Sequence, residues 1–414
     1  MVAAISISAA TAPRARRAPL ANRSWFEALA AAAVLLPLLF IPQLSSAGPA
    51  LFYGAAAIYA YAHRREAKAI LIRRWPILLV PAFALASTIW SDYPAVSLKH
   101  ACELTLTMCA ALLFSGGRRQ DAFLFGACAA FGLYLAVSLA LGHTVAMGSV
   151  VGGDDQRAFA GLNGGKNLMG MTAAMAAIAT LFLVFRSLRV RSLVGALCGF
   201  GLLALSIYLI VLARSAGAVV AVTLAVAAFL TIASLGLFPA KARPAICGLL
   251  VAALIALGIA GYAAANSIEA STLDLFHKDP TLTGRSYLWY RAAEFIHERP
   301  VLGHGFEAFW VRGNPNAEGL WEYAQIRNRT GFNFHNTLIE LLVHLGWVGA
   351  VLVLGVFAYA ATKLLGRSLR WPSLVGATYV ALVVFHLART PFESLDPSSV
   401  DFATFLMTVA LGYG

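Results

Sequence analysis

Long apolar runs with almost no charged residues recur through this chain. Residues 167–185 contain no Asp, Glu, Lys or Arg, and the same is true of residues 215–240. About 20 apolar residues in a helix span the hydrocarbon core of a bilayer, and a helix satisfies its own backbone hydrogen bonds there. The runs therefore predict membrane-spanning helices.

Counting these runs along the chain predicts twelve spans. They begin near Trp25, Pro49, Trp75, Ala101, Asp121, Asn167, Ser192, Ala216, Pro244, Asn336, Trp371 and Asp401. Hydrophobic residues make up 60% of the chain and charged residues 12%, against roughly 45–50% and 25% in soluble domains. We expect an all-α polytopic integral membrane protein with about 12 transmembrane helices.

One membrane domain is expected to account for nearly the whole chain. We predict a cytoplasmic tail over residues 1–24 and a single transmembrane domain over residues 25–414. A hydrophilic segment, residues 266–334, lies between the ninth and tenth spans and predicts one large periplasmic loop. Within it, Gly284 to Glu298 has the spacing of an amphipathic helix. Pro300 ends that helix, and Gly303-His304-Gly305 predicts an exposed turn.

The charged residues predict the orientation of the chain in the membrane. With a cytoplasmic N-terminus, 19 of the 31 basic residues fall in cytoplasmic loops and 14 of the 19 acidic residues fall on the outer side. Basic residues in short loops stay in the cytoplasm. Topology thus accounts for the net charge of +12 without a nucleic-acid partner. The five cysteines show neither CxxC spacing nor a histidine cluster, so no metal site is predicted.

Three predicted helix N-termini on the outer side, those of spans six, eight and ten, carry basic or polar residues. Helix N-termini attract anions through free amides and the helix dipole. One further basic residue lies on the apolar face of the loop helix. The candidate residues are Arg157, Lys166, Arg214, Arg285, His335 and Asn336. Together they predict a pocket for a strongly anionic group such as a lipid-linked diphosphate.

Each candidate also has a structural interpretation. These are a snorkelling anchor for Arg214, a loop end for Lys166, pairing with Asp154 or Asp155 for Arg157, an ion pair for Arg285 and a helix cap for His335. Glu340 and His344 are four residues apart on span ten and are interpreted as a polar pair within the helix. The sequence leaves these alternatives open.

Several short motifs occur in order along the chain. They are Ile89-Trp90-Ser91-Asp92-Tyr93-Pro94, Gly165-Lys166-Asn167, Ala213-Arg214-Ser215, Gly284-Arg285 with Trp289, Pro300 with Gly303 and Gly305, His335-Asn336, and Gly346. From roughly Ala86 to Gly346 the chain resembles the O-antigen ligase and polymerase superfamily, and its Lys166-Asn167 variant is most similar to the exopolysaccharide polymerase branch. Two features depart from the pattern, namely Ala213 in place of an expected serine and the loop Asn163-Gly164-Gly165.

The resemblance implies a glycosyltransferase of the bacterial inner membrane, with both termini cytoplasmic and no metal or other cofactor. It would transfer glycan from an undecaprenyl-diphosphate-linked donor to a sugar hydroxyl on the periplasmic face. His335 would activate or position the acceptor, and the substrate-binding residues would be Arg285, Arg214, Lys166, Arg157 and Asn336. The implied partners are the donor, a glycan or lipid A core acceptor, membrane lipids and exopolysaccharide assembly proteins.

The same residues make chemical sense without the resemblance. Diphosphate is a good leaving group, guanidinium forks neutralise its charge, and an imidazole can accept a proton from a sugar hydroxyl. A polymerase and a ligase share this donor chemistry, so both remain open. A third alternative is a polysaccharide or ion-coupled transporter with Glu103, Glu340 and His344 along an ion path. It would favour discontinuous helices, and the sequence predicts none.

Overall fold

The computed structural model describes residues 24–146, 157–249, 252, 285–329, 332–395 and 397–414. The helices are α1 (Ser24–Leu39), α2 (Ile41–Leu44), α3 (Ala47–Ala62), α4 (Arg64–Arg73), α5 (Trp75–Ala86), α6 (Pro94–Ser115), α7 (Gln120–Leu141), α8 (Lys166–Arg189), α9 (Leu193–Ala213), α10 (Ala216–Ser234), α11 (Arg285–Glu298), α12 (Pro315–Tyr323), α13 (Thr337–Arg370), α14 (Leu374–Arg389) and α15 (Phe402–Gly412). Residues 243–249 are also helical. The N-terminal tail to residue 23, residues 253–265 of the predicted ninth span and residues 266–284 of the predicted loop lie outside the described residues.

Within the described ranges, six helices are long and apolar enough to cross a membrane. They are α6, α7, α8, α9, α10 with its extension to Leu237, and α13. A seventh span forms if α4 and the segment Trp75–Ile89, which meet at 82°, count as one. The helices α1, α14 and α15 are apolar but shorter. The prediction of a helical, multi-pass membrane protein is confirmed, and the number of twelve spans stays a prediction.

The helix α8 lies at the centre of the bundle. Most of its residues are buried, and it packs against α7, α9, α10 and α14. Small residues allow this close packing, as at Gly170, where an added Cβ would lie 2.9 Å from the Cβ of Ser215. The N-termini of α8 and α10 are therefore held side by side.

A small antiparallel hairpin follows α7, which corrects the prediction of a purely helical chain. Its strands are β1 (His143–Ala146) and β2 (Arg157–Gly161), and Thr144 pairs with Phe159. The extended backbone beyond the helix end finds its hydrogen-bond partners in the other strand. The side chain of Arg157 donates to the hydroxyl of Thr144 (2.7 Å) and to its carbonyl (3.1 Å). Asp154 and Asp155, the partners expected for Arg157, lie outside the described residues.

The helix α13 is interrupted at Gly346, where the backbone is not helical (φ 63°, ψ −171°). The turn over residues 300–305 inserts its backbone into this break. The hydrogen bonds run from His304 N to Val343 O (2.9 Å), Gly305 N to His344 O (2.8 Å), Trp347 N to Pro300 O (2.8 Å) and Val348 N to Val301 O (3.1 Å). The expectation of no discontinuous helix is wrong. The turn replaces the helical hydrogen bonds that the break removes.

Glycine is required on both sides of this contact. A Cβ added to Gly346 would lie 2.4 Å from the carbonyl of Val301, and one added to Gly303 would lie 2.6 Å from the backbone of His344. Both glycines also have positive φ values, 63° and 67°, which other residues adopt at a cost. Two motif glycines are thus explained by backbone packing.

His304 is buried, so the prediction of an exposed turn at this residue is wrong. Its Nδ1 lies 2.7 Å from Oδ2 of Asp92, and Nη2 of Arg299 lies 2.8 Å from Oδ1 of the same carboxylate. The amide of Asp92 donates to the His304 carbonyl (3.0 Å), and Trp90 Nε1 donates to the carbonyl of Leu302 (2.9 Å). The motif around Asp92 therefore anchors the loop to the start of α6.

The loop helix α11 has the amphipathic character that its spacing predicts. Leu288, Ala292 and Phe295 are buried, and Arg291 pairs with Glu294 on another face. The buried face packs with Phe309 and Phe334 in a small apolar cluster above the membrane helices. This cluster brings Arg285, at the start of α11, to the end of the bundle where α8, α10 and α13 begin, which we call the loop end.

Candidate functional site

Glu393, four residues beyond the end of α14, is the centre of the polar cluster at the loop end. Its Oε1 accepts a hydrogen bond from Asn167 Nδ2 (2.8 Å) and lies 3.7 Å from Nη2 of Arg285 and 3.8 Å from Nη2 of Arg389. Its Oε2 lies 3.4 Å from Nδ1 of His335. One carboxylate therefore joins residues from α8, α11, α13 and α14. We call Glu393 and these four residues the Glu393 cluster.

Backbone hydrogen bonds fix the position of Glu393. The hydroxyl of Thr337, at the start of α13, donates to the Glu393 carbonyl (2.8 Å) and accepts from the amide of Leu395 (2.9 Å). The amide of Thr337 donates to the carbonyl of Thr390 (3.0 Å). The segment that carries Glu393 is thus attached along the N-terminus of α13, next to His335.

His335, the residue before the N-cap of α13, has an unusual backbone conformation. Its φ is 53°, in the left-handed region that non-glycine residues seldom occupy. Its amide donates to Oδ1 of Asn333 (2.9 Å), and the edge of the ring meets Phe332 at a centroid distance of 5.9 Å. The side chain is 26% exposed. The ring is held in one orientation while it stays accessible from solvent.

The contact with Glu393 involves Nδ1 of His335 and leaves Nε2 outside this contact. If Nδ1 carries the proton and donates to the carboxylate, Nε2 has its lone pair available. A carboxylate in this position also stabilises the imidazolium that forms when Nε2 takes up a proton. A histidine general base and the carboxylate that orients it have contacts of this kind.

Glu393 remains ionised although it is mostly buried. Burial raises the pKa of its carboxyl, but the hydrogen bond with His335 and the charges of Arg389 and Arg285 outweigh burial and lower the pKa below its ordinary value. Burial in turn lowers the pKa of Arg285, against the opposing effect of Glu393. The cluster therefore holds one negative charge among two guanidinium groups.

Arg389 has unused hydrogen-bonding capacity. Its side chain is 3% exposed, and Nε and Nη1 have no hydrogen-bond partner among the described residues. Buried donors without partners are costly, and a guanidinium presents them in a planar fork that matches phosphate oxygens. Arg389 therefore offers an anion-binding group that the sequence did not indicate.

The remaining sequence-predicted residues lie at different places around the cluster. Lys166 is the first residue of α8 and adjoins Asn167, whose Oδ1 accepts from the hydroxyl of Ser215 (3.2 Å). Arg214 precedes Ser215 and ends α9 in a left-handed conformation (φ 47°). The starts of α8, α10 and α13 thus meet at the loop end. The side chain of Arg157 contacts Thr144 in the hairpin.

Asn336 has a structural role at the start of α13. Its Oδ1 accepts from the amide of Ile339 (3.1 Å), which is the geometry of an N-cap. Its Nδ2 donates to the carbonyl of Pro391 (3.2 Å). The helix cap expected at His335 is therefore made by Asn336. Substrate binding by Asn336 remains a prediction, and a substrate would have to replace one of these hydrogen bonds.

A cavity of about 730 Å³ adjoins the Glu393 cluster. Phe332 and Asn333, next to His335, form part of its wall, and so do Ser394 and Leu395, next to Glu393. It extends from the loop to buried polar residues of α13. The site therefore has a charged cluster and a neighbouring space large enough for a small ligand.

Residues 201–354 match the family model described as O-antigen ligase. The matched part includes Arg214, Arg285 and His335, and it ends before Arg389 and Glu393. The chain is also 31% identical over 339 residues to the exopolysaccharide production protein ExoQ of Rhizobium meliloti (strain 1021). That alignment covers 80% of this chain and 74% of the relative. The chain belongs to the O-antigen ligase family.

The sequence of this O-antigen ligase family protein did not predict two members of the Glu393 cluster. Arg389 and Glu393 stand four residues apart at the end of an apolar run, a spacing that signals a local ion pair. The predicted topology already placed Glu393 on the same side as His335. His335 and Glu393 are 58 residues apart in the sequence, however, and only the folded chain shows that they are in contact.

Proposed function

We propose that this member of the O-antigen ligase family is a glycosyltransferase that acts as an exopolysaccharide polymerase. It transfers glycan from an undecaprenyl-diphosphate-linked donor to a hydroxyl of an acceptor sugar. The observation that carries the proposal is the contact between His335 and Glu393 within a cluster that also holds Arg285 and Arg389. The similarity to an exopolysaccharide production protein supports the choice of polymerase.

In the proposed reaction, His335 accepts the proton of the acceptor hydroxyl at Nε2. The hydroxyl oxygen bonds to the anomeric carbon of the donor, and the bond from that carbon to the diphosphate oxygen breaks. The electron pair leaves with undecaprenyl diphosphate, and a single displacement inverts the anomeric configuration. Glu393 holds the ring and balances the charge that the proton brings.

Guanidinium groups are proposed to bind the diphosphate. Arg389 has buried donors without partners among the described residues, and Arg285 is mostly buried beside it in the cluster. In such a site, fixed donors stabilise the charge that develops on the leaving group. Arg214 and Lys166 are proposed as further diphosphate contacts at neighbouring helix ends, and Arg157 as a weaker one. No metal is needed in this scheme.

We also propose the location of the site. The basic residues of the short loops favour an inner-membrane orientation with both termini in the cytoplasm. The loop end would then face the periplasm, where lipid-linked glycans and lipid A core are available. Expected partners are these substrates, membrane lipids and exopolysaccharide assembly proteins.

A defined reaction tests the proposal. Purified protein is incubated with a lipid-linked repeat unit, with and without lipid A core, and the glycan length and released undecaprenyl diphosphate are measured. Polymer formed without lipid A core is expected. Transfer only to lipid A core would support the second candidate, an O-antigen ligase, which the description of the matched family model favours. Absence of any glycosyl transfer would overturn both.

A further inference from the structure

The cavity beside the Glu393 cluster is lined by apolar side chains and by several hydrogen-bond acceptors. Glu340 lines it and is 2% exposed as a residue. Its carboxylate accepts from Trp310 Nε1 (2.7 Å), from the amide of Phe334 (2.8 Å) and from the hydroxyl of Ser394 (2.8 Å). These donors are neutral, and a carboxylate has about four acceptor positions. Nε2 of His344 also lies 3.6 Å from Oε1, which is longer than a hydrogen bond, so Glu340 has capacity to accept a further one.

A second carboxylate lies in another part of the wall. Glu307 accepts from the amide of Ser399 (3.2 Å), and its Oε2 lies 3.5 Å from Nδ1 of His100. Burial raises the pKa of Glu307, and the neighbouring charge of His100 opposes this effect. Both carboxylates are thus held by the protein in a partly enclosed space.

The histidine of α14 that lines the cavity has an unsatisfied nitrogen. Nδ1 of His386 lies 2.8 Å from the carbonyl of Leu382, so Nδ1 is the nitrogen that carries the proton in the neutral ring. Nε2 then has a lone pair, and it has no hydrogen-bond partner within the described part of the chain. His386 is 4% exposed and lies in the cavity wall. A buried acceptor without a partner calls for a donor from a ligand.

We propose that this cavity is a saccharide subsite, which binds a hydroxyl-rich sugar unit of the acceptor chain through His386, Glu340 and Glu307. The proposal rests on the proposed function, because it assigns the acceptor to a place beside His335. Sugar hydroxyls donate the hydrogen bonds that these groups accept. The indole of Trp310 and the ring of Phe332, which also line the cavity, provide apolar surface for the carbon faces of a sugar.

The hydrogen-bonding groups in the cavity distinguish this ligand from the diphosphate of the donor. Phosphate oxygens are acceptors, as are the carboxylate oxygens of Glu340 and Glu307, so a phosphate group offers these side chains no hydrogen bond. Two arginines also line the cavity, but both are exposed at its rim. Arg329 pairs with Glu318 (3.0 Å), and Arg312 donates to the carbonyl of Asn328 (3.0 Å). The cationic Glu393 cluster suits the diphosphate, and the neighbouring cavity suits a neutral glycan.

Oligosaccharide binding to the full-length protein tests the subsite. The ligands are short oligosaccharide fragments released by mild acid from the exopolysaccharide of the cells that make this protein. Binding to purified protein in nanodiscs is measured by saturation-transfer NMR and calorimetry. We expect saturable binding that His386→Phe weakens about tenfold, in keeping with one lost hydrogen bond.

Two further variants of the protein provide a second test and a control. Glu340→Gln keeps the side-chain shape and is expected to weaken binding as well, so the result does not depend on one variant. His143→Phe changes an exposed histidine of β1 and is expected to bind as the wild type does. The thermal midpoint and size-exclusion profile of each variant show that it is folded.

The same preparations separate the subsite from the proposed function. Normal glycosyl transfer together with no oligosaccharide binding, or with equal binding by all folded variants, overturns the subsite and leaves the function standing. Saturable binding that weakens in His386→Phe supports the subsite even if the wild type transfers no glycan, a result that would overturn the function alone.

Discussion

His335 and Glu393 face each other at the loop end, with Nδ1 of the imidazole 3.4 Å from Oε2 of the carboxylate. The contact joins the residue before the N-cap of α13 to the segment after α14. It orients a partly exposed imidazole through Nδ1 and leaves Nε2 outside the contact. The catalytic proposal depends on this arrangement.

Replacement of His335 is expected to abolish glycan transfer while the protein still folds. His335→Ala removes the proposed base, and general-base catalysis contributes about 10²–10⁴-fold to a rate. The measurement is polymer length and released undecaprenyl diphosphate from a lipid-linked repeat unit. His297→Ala, which changes an exposed histidine of α11, is the control and is expected to retain activity. Full activity of His335→Ala would refute the proposed base.

Arg285 is expected to act on the donor. Arg285→Ala removes a mostly buried guanidinium from the Glu393 cluster and should lower product formation about a hundredfold or more. Arg291→Ala on the same helix removes the pair with Glu294 and the contact with the ring of Phe295, and it should leave activity near that of the wild type. Equal activities of the two variants, measured at several donor concentrations, would exclude a special role for Arg285.

Glu393 is expected to make stability depend on acid pH. The net effect of its surroundings lowers its pKa below the ordinary value of 4.5. A carboxyl whose pKa is lower in the folded than in the unfolded state stabilises the protein above the unfolded value. This stabilisation is lost as the pH falls through the folded value.

Glu393→Gln should therefore lower the thermal midpoint at about pH 7, and the difference from the wild type should shrink as the pH falls below about 4.5. Thermal unfolding in detergent, followed across this range, measures the effect. A difference that stays constant with pH would show that the ionised carboxylate does not stabilise the fold.

The break in α13 provides a paired stability test. In Gly346→Ala the new Cβ would lie 2.4 Å from the carbonyl of Val301, at a φ of 63°. Strain of this kind costs about 1–3 kcal/mol, so we expect a lower thermal midpoint and faster proteolysis of the loop. Gly355→Ala on the same helix meets nothing within 4 Å, so its midpoint should be unchanged or higher. Equal midpoints would argue against the tight contact with the turn.

Chelators are expected to leave the transfer rate unchanged. In the proposed scheme, guanidinium groups neutralise the diphosphate, so no divalent cation takes part. The rate is measured with about 1 mM chelator and again with added magnesium. Strong inhibition that magnesium reverses would replace this scheme with a metal-assisted one.

The sequence by itself determined the class of the protein and several local elements. Uncharged apolar runs leave a chain few choices other than membrane helices, and the starts of α10 and α13 lie within one residue of those predicted. Spacing alone also predicted the buried face of α11, because helical periodicity is a local property. The sequence also pointed to His335 and Arg285 as candidates, and the structure brings both to Glu393.

Only the tertiary structure decided how these elements form a site. The partner of His335 is Glu393, 58 residues away, and no local pattern encodes such a contact. The glycines beside His304 predicted an exposed turn. In the structure, Gly303 and Gly346 instead allow two backbone segments to pack closely against each other. Burial and long-range pairing depend on how distant segments pack. That packing brings His335, Arg285 and Arg389 to the carboxylate of Glu393.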